Sequence, residues 1–334
     1  MPDLTISSPK LIPAPVCLID GLTRTGKSLV CQLFPALNGM EHPHFFTLLE
    51  QILPLMEHKA ISTDAAKALI TLQLNEFFCD YILARKANFR PNELTSVFQS
   101  RHPQKFFENL TKEDKPSNLE EFEIDNSSYY SFLTHDVITH FDVFAKLKLP
   151  YKVITVFRNP VDTVWSWYTR GWGTRFTEDS RAFTVLVQSD PTDNLPWWCL
   201  PIKERYYKSN PMERCIMMHN LLLNRAIQNT KELKWDRGLL VLKFEDLCQN
   251  PDLAMSKISK LLNLPVHHSS PTYYERARVP RPLPTQDQTN KLDQIRLKSN
   301  PDIFNELLKL QEEYNQSFFG ISEARIQELA KLTV

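Results

Sequence analysis

The sequence predicts an α/β fold: a three-layer αβα sandwich with a central, mainly parallel sheet and a helical insertion. Three observations carry this. Apolar runs at 16–20, 130–134, 152–157 and 239–244 are continuous rather than alternating, as strands covered on both faces should be. Helical periodicity fills the intervals between them, so neighbouring strands are joined by crossovers and run parallel. The first run leads into a glycine loop and a helix, a strand–loop–helix unit of phosphate-binding type.

In chain order, residues 1–14 are rich in Pro, Ser and Thr and read as an irregular lead-in. The strand VCLID and the loop GLTRTGKS precede a helix in LVCQLFPAL, which Pro35 should end. From about 45 to 110 apolar residues such as Leu48, Leu49, Ile52 and Leu55 recur at helical spacing. These make a helical insertion of two to four elements, reaching to about 128 through a charged, exposed connection at 111–128. Further helices are expected at 212–230, 252–262, 302–316 and 322–332, with an irregular Arg/Pro-rich stretch at 265–290. All of 15–334 reads as one domain.

Composition excludes several classes. The chain has 334 residues with 39 Lys+Arg against 39 Asp+Glu, so no bulk charge attracts nucleic acid or another polyanion. Six Cys are scattered without CxxC or Cys/His ligand spacing, which predicts free thiols, a reducing cytoplasmic compartment and no metal site. No apolar run approaches the roughly 20 residues that span a bilayer, so no integral membrane segment is expected.

Gly is scarce, 7 residues in all, and two of them frame Gly21-Leu-Thr-Arg-Thr-Gly26-Lys27-Ser28. This string fits G-x-x-x-x-G-K-[ST] between a strand and a helix, where backbone N–H groups and the positive helix end bind phosphate. Arg24 and Lys27 add charge. Further on, Arg158-Asn159-Pro160-Val-Asp162 follows a strand directly, and Ser166 lies about two helical turns beyond Arg158. A guanidinium and a hydroxyl so spaced suit a second, terminal phosphate.

These segments together resemble the sulfotransferases that use 3′-phosphoadenosine 5′-phosphosulfate (PAPS). GLTRTGKS resembles the family's 5′-phosphosulfate loop, RNPVDTVWSWY its 3′-phosphate motif, and LLVLKFEDLCQNPD its later strand and E-D-L-x-x-x-P segment. The resemblance covers about residues 15–265. It implies that Arg24, Thr25, Gly26, Lys27, Ser28 and Leu29 hold the 5′-phosphosulfate and that Arg158 and Ser166 hold the 3′-phosphate. Two departures stand out: Lys27 occupies a position where the family usually has Ser or Thr, so that either Arg24 or Lys27 is the expected catalytic contact to the oxygen bridging phosphate and sulfate, and the C-terminal R-K-G-x-x-G is missing. Arg276, Arg278 and Arg281 in ERARVPRP lie where that string would close over the 3′-phosphate, or else form a solvated basic loop. The spent cofactor would be 3′-phosphoadenosine 5′-phosphate, and no metal is required.

Transfer to a hydroxyl needs a base, and His suits neutral pH. Leu133-Thr134-His135-Asp136 resembles the cytosolic enzymes' K-T-H segment, and His135 lies 23 residues before Arg158. A rival segment, Glu41-His42-Pro43-His44-Phe45-Phe46, resembles the E-x-H-F-F of glycosaminoglycan sulfotransferases, with His42 in register and Glu41 one residue off. Either His135 or the His42/Glu41 pair is therefore the expected base, while His140 reads as structural. Five of the six Trp fall at 165–198, as cover for a small-molecule hydroxyl acceptor or as core, and Trp172 between Gly171 and Gly173 reads as part of a lid. The alternatives are a P-loop kinase using ATP and Mg²⁺, favoured by Lys27-Ser28, and a non-catalytic nucleotide-binding homologue.

Overall fold

The computed structural model describes residues 6–100, 102–111, 127–232 and 238–319. The chain forms two compact units, Met1–Phe157 with Trp235–Pro282, and Arg158–Lys234 with Leu283–Val334.

The first unit is built on a five-stranded sheet of β1 (Val16–Asp20), β2 (His44–Phe45), β3 (Tyr130–Leu133), β4 (Lys152–Phe157) and, after two short strands of the second unit, β7 (Leu239–Lys243). The order is β2-β3-β1-β4-β7, and every pairing is parallel. β1 is buried along its whole length, with Leu18 paired to Phe132 on one side and Val153 on the other, which is why its sequence is apolar without alternation. Its helices are α1 (Lys27–Leu33), α2 (Thr47–Glu57), α3 (Thr63–Ile82), α4 (Pro103–Leu110) and α5 (Phe141–Lys146), then α10 (Phe244–Gln249), α11 (Pro251–Leu262) and α12 (Ser270–Ala277). As expected, α1 stops where Pro35 enters a short 3-10 turn at Phe34–Ala36.

The second unit contains α6 (Pro160–Tyr168), α7 (Arg175–Glu178), a small antiparallel pair β5 (Leu186–Val187) and β6 (Leu195–Pro196), α8 (Lys203–Lys208), α9 (Pro211–Glu232), α13 (Thr285–Leu297) and α14 (Pro301–Phe319). Its core is formed where α9 packs on α6 and α14.

The structure departs from the sequence reading in two places. β2 is a strand of two residues, too short to leave a period, and it is set by pairing with β3 rather than by its own pattern. The stretch 265–290, read as irregular, contains α12 and the start of α13. Its prolines punctuate helices rather than preclude them: one stands in the first turn of α12, and Val279-Pro280 separates α12 from α13. The insertion does hold helices, α2 to α4, whereas 112–126 and the helix expected at 322–332 lie outside the described residues.

Candidate active site

The loop after β1 turns by left-handed backbone at Gly21 (φ 138°), Arg24 (φ 70°) and Gly26 (φ 100°). Alternating handedness of this kind points successive N–H groups inward, toward an anion. Both glycines are also demanded by packing. A Cβ at Gly21 would stand 2.3 Å from the Val156 carbonyl oxygen, and one at Gly26 would stand 2.2 Å from Cδ2 of Phe244. Gly26 caps α1 without a side chain, which leaves the first-turn N–H groups to other acceptors. Thr25 is buried and donates its hydroxyl to the Leu22 carbonyl at 2.8 Å, pinning the loop from inside. Arg24 and Ser28 are exposed, and Leu29 is core.

Lys27 is 4% exposed, and its ammonium donates to the carbonyls of Gly21 (2.6 Å) and Leu22 (2.9 Å). Burial lowers its pKa, opposed by Asp20, Asp136 and Glu50 in turn. Asp20, at the end of β1, accepts from the backbone N–H groups of Val137 (3.1 Å) and Ile138 (2.8 Å) and from the hydroxyls of Thr134 and Thr155. It therefore fastens the turn after β3 to the strand that starts the loop. Two backbone bonds do the same: Thr134 N–H to the Ile19 carbonyl at 3.0 Å and Asp136 N–H to the Gly21 carbonyl at 3.4 Å.

Between those anchors stands His135. Its Nδ1 lies 2.8 Å from Oε1 of Glu50 on α2. Burial holds His135 well below the usual imidazole range, with the Lys27 charge adding to it. Burial likewise pushes Glu50 up to about 8, although Lys27 pulls it back. Asp136 has a left-handed backbone (φ 62°), is pushed up to about 7 by burial, and has Oδ1 buried without a hydrogen-bond partner. Four ionisable side chains from three segments thus surround Lys27. Sequence reading found Lys27 and His135 but not Glu50. The missing signal was tertiary, since Glu50 lies 85 residues from His135 and looks like any first-turn acid of a helix. His140 forms a second such contact, 2.5 Å from Oε2 of Glu57, in a buried position that fits its structural reading.

The rival segment lies elsewhere. Glu41 donates its backbone N–H to Tyr129, ahead of β3, and its carboxylate accepts the Tyr81 hydroxyl at 2.7 Å. In the register His44–Phe132, His42 is level with the beginning of β3, whereas His135 follows its end. Glu41, His42 and Arg276 line one cavity of the first unit. Arg278 ends α12 with a left-handed backbone, exposed. Of the C-terminal arginines it is Arg281 whose guanidinium lies 5.8 Å from the centre of the Phe244 ring, the ring that excludes a side chain at Gly26.

In the second unit, Arg158 is the residue after β4 in the chain. Asn159 caps α6, its side-chain oxygen accepting from Val161 N–H at 3.0 Å and Asp162 N–H at 3.4 Å, with Pro160 in the first turn. Asp162 takes the ammonium of Lys291 at 2.7 Å. Ser166 accepts from Arg170 Nη1 at 3.0 Å. The motif residues Asn159, Pro160 and Asp162 thus build the helix start. Trp172 stacks on Trp167 with ring centres 5.6 Å apart and meets Phe176 edge-on, and a Cβ at Gly173 would fall 2.1 Å from the Pro211 carbonyl oxygen. Gly173 and the Trp172 ring are thus packed in place, whereas Gly171 (φ 71°) is exposed with open space where a side chain would stand.

Among the described residues no helix is long and apolar enough to cross a membrane, and no group of three or more His, Cys, Asp or Glu is placed to hold a metal ion. No curated protein matches the chain. Solved structures that align with it include the sulfotransferase domain of the curacin biosynthetic pathway (13% identity, 79% of each chain, TM-score 0.41). The sulfotransferase domain of the Synechococcus PCC 7002 olefin synthase aligns at 13% identity over 93% of this chain and 98% of that one, TM-score 0.44. Mouse sulfotransferase SULT7A1 complexed with PAP aligns at 11% identity over 98% of this chain and 91% of that one, TM-score 0.37. Assignment rests on the family model described as "Sulfotransferase domain", which matches residues 17–278, most of the chain's length, and by that match the chain belongs to the sulfotransferase family.

Proposed function

We propose that the protein transfers a sulfuryl group from PAPS to a hydroxyl of a small-molecule acceptor, with His135 as general base. The observation that carries this reading is the fastening of the His135 turn onto the start of the phosphate loop through Ile19, Asp20 and Gly21. Base and anion cradle are thereby one rigid piece, which is what positioning a proton acceptor beside a transferring group requires.

The loop suits the phosphate end of such a donor, because its glycines admit close backbone approach and its helix N-terminus carries no side-chain cap. Arg24, Thr25, Gly26, Lys27 and Ser28 are the residues proposed to hold that end, and Arg158 and Ser166 the 3′-phosphate. When bound, the donor supplies a sulfuryl group activated by its phosphate leaving group. Lys27 contributes positive charge where negative charge accumulates. His135 takes the acceptor hydroxyl's proton at Nε2, while Glu50 at Nδ1 fixes the ring and its tautomer. The expected setting is cytoplasmic.

The test is the shift in thermal midpoint with 3′-phosphoadenosine 5′-phosphate against ATP plus Mg²⁺. Saturating ligand at about 100 times its Kd stabilises by roughly 2.7 kcal/mol, a shift of a few degrees for a chain of this size. A shift with the 3′-phosphorylated nucleotide alone, together with sulfate transfer lost in His135→Ala, supports the reading. A shift with ATP and Mg²⁺ alone overturns it, and cofactor binding without transfer to any alcohol or phenol tried would mark a non-catalytic homologue.

A further inference from the structure

The first unit contains a cavity of about 340 Å³ between the second half of α1, the segment leading into β2, residues 94–100 and α12. Its volume is at the lower end of the range for small-molecule sites, roughly 300–1,000 Å³. None of Lys27, Glu50, His135 and Asp136 lines it, so it is separate from the loop site.

Its chemistry is graded from floor to mouth. On the inner side His42 is 4% exposed, lines the cavity, and has neither ring nitrogen hydrogen-bonded. Burial lowers it to about 4, so at neutral pH the ring is uncharged and presents one N–H and one lone pair. Leaving both unsatisfied is costly in a buried place, and a hydroxyl, at once donor and acceptor, is the group that answers them. Beside His42 is the Glu41 carboxylate, one oxygen of which takes the Tyr81 hydroxyl. At the mouth stands Arg276, exposed, its guanidinium 5.9 Å from the centre of the Tyr273 ring. Glu41 and Arg276 line one cavity yet form no ion pair with each other or with any other described residue. The rest of the lining is mixed: Phe34, Leu94 and Phe98 give it an apolar part, with 46% of the Phe98 surface exposed, and Gln32, Gln99 and Ser100 give it a polar one.

We propose that this cavity binds a small organic anion with a ring or short apolar body and a terminal hydroxyl. Its anionic group pairs with Arg276, its body lies against Phe34 and Phe98, and its hydroxyl meets His42 and Glu41. This gives Glu41 and His42 a binding task rather than a proton-transfer one. It rests on the cavity alone and stands or falls independently of the sulfotransferase reading.

The experiment is calorimetric titration of the full chain with para-hydroxyphenylacetate as probe. Phenylacetate lacks the hydroxyl and para-ethylphenol lacks the anion, so they serve as comparison ligands. Expected is saturable one-site binding of the probe, with both comparison ligands weaker by about tenfold or more. Arg276→Gln, a surface change, should weaken the probe by a similar factor, as should His42→Phe, provided its thermal midpoint shows a folded chain. No saturable binding up to about 10 mM, equal binding of phenylacetate, or unchanged binding in Arg276→Gln would each overturn the proposal.

Discussion

Nδ1 of His135 and Oε1 of Glu50 lie 2.8 Å apart, joining the turn after β3 to the first turn of α2 beside the Lys27 ammonium. In the proposed mechanism the contact decides which ring nitrogen takes the proton. Because burial pushes Glu50 up to about 8 and His135 down, the pair is neutral at pH 7. A protonated Glu50 donates to Nδ1, which leaves the ring's own proton on Nε2, where it blocks proton uptake. Above about 8 the ionised Glu50 accepts from Nδ1–H, and the Nε2 lone pair faces outward. Sulfate transfer should therefore rise with pH through a limb near 8. In Glu50→Gln nothing titrates at that position, so the limb should vanish from the rate profile; a profile identical to wild type would remove Glu50 from the mechanism.

Lys27 holds that limb where it is. Its charge is the largest influence opposing burial on both Glu50 and Asp136. Lys27→Met should move the limb upward in pH and slow transfer by a factor of about 100, since a charge-stabilising donor of this kind is worth roughly 2.7–4 kcal/mol. Rate profiles of the two proteins check both effects.

Gly21 and Gly26 should differ under the same substitution. Alanine at Gly21 meets the backbone of β4, which is locked between β1 and β7; alanine at Gly26 meets the ring of Phe244, which can move. Both positions carry positive φ, so each substitution should cost about 1–3 kcal/mol, with Gly21→Ala the worse. Phe244→Leu should recover part of the loss in Gly26→Ala and none in Gly21→Ala, as read by denaturant unfolding.

Acid should destabilise the second unit through His219, which is fully buried against Trp167 and lowered by burial to about 3. The folded pKa is below the unfolded one, so the unfolded chain binds more protons below about 6.5 and stability falls as pH falls. Between pH 7 and 5 this one residue should cost about 2 kcal/mol. Glu50 and Asp136 work in the opposite direction, because their folded values are raised, so the comparison must be made by variant. His219→Gln should lose about 2 kcal/mol less than wild type over that interval in denaturant melts.

For the 3′-phosphate reading, Arg158→Ala should raise the dissociation constant of 3′-phosphoadenosine 5′-phosphate by roughly 10- to 100-fold, the weight of a charge-assisted bond. Ser166→Ala should do less, because a neutral hydroxyl contributes less and Ser166 already accepts from Arg170. Titration calorimetry distinguishes the two, and equal, negligible effects would reject the assignment.

What could be read in the sequence was what depends on near neighbours. The buried strands announced themselves by unbroken apolar runs, and GLTRTGKS by a spacing that only a strand–loop–helix turn satisfies. Pro35 and Asn159-Pro160 marked a helix end and a helix start because their backbone chemistry is local. Tertiary structure decided what depends on distant segments meeting. It made a strand of His44 and Phe45, which have no period of their own, and it set a half-buried Glu50 beside His135 across 85 residues. It also put Glu41, His42 and Arg276 around one cavity, whose lining includes none of Lys27, Glu50, His135 and Asp136. The physical reason is the same in each case: hydrogen-bond geometry and backbone preference are carried by adjacent residues, whereas register, burial and the pKa of a buried pair depend on what the rest of the chain packs against them.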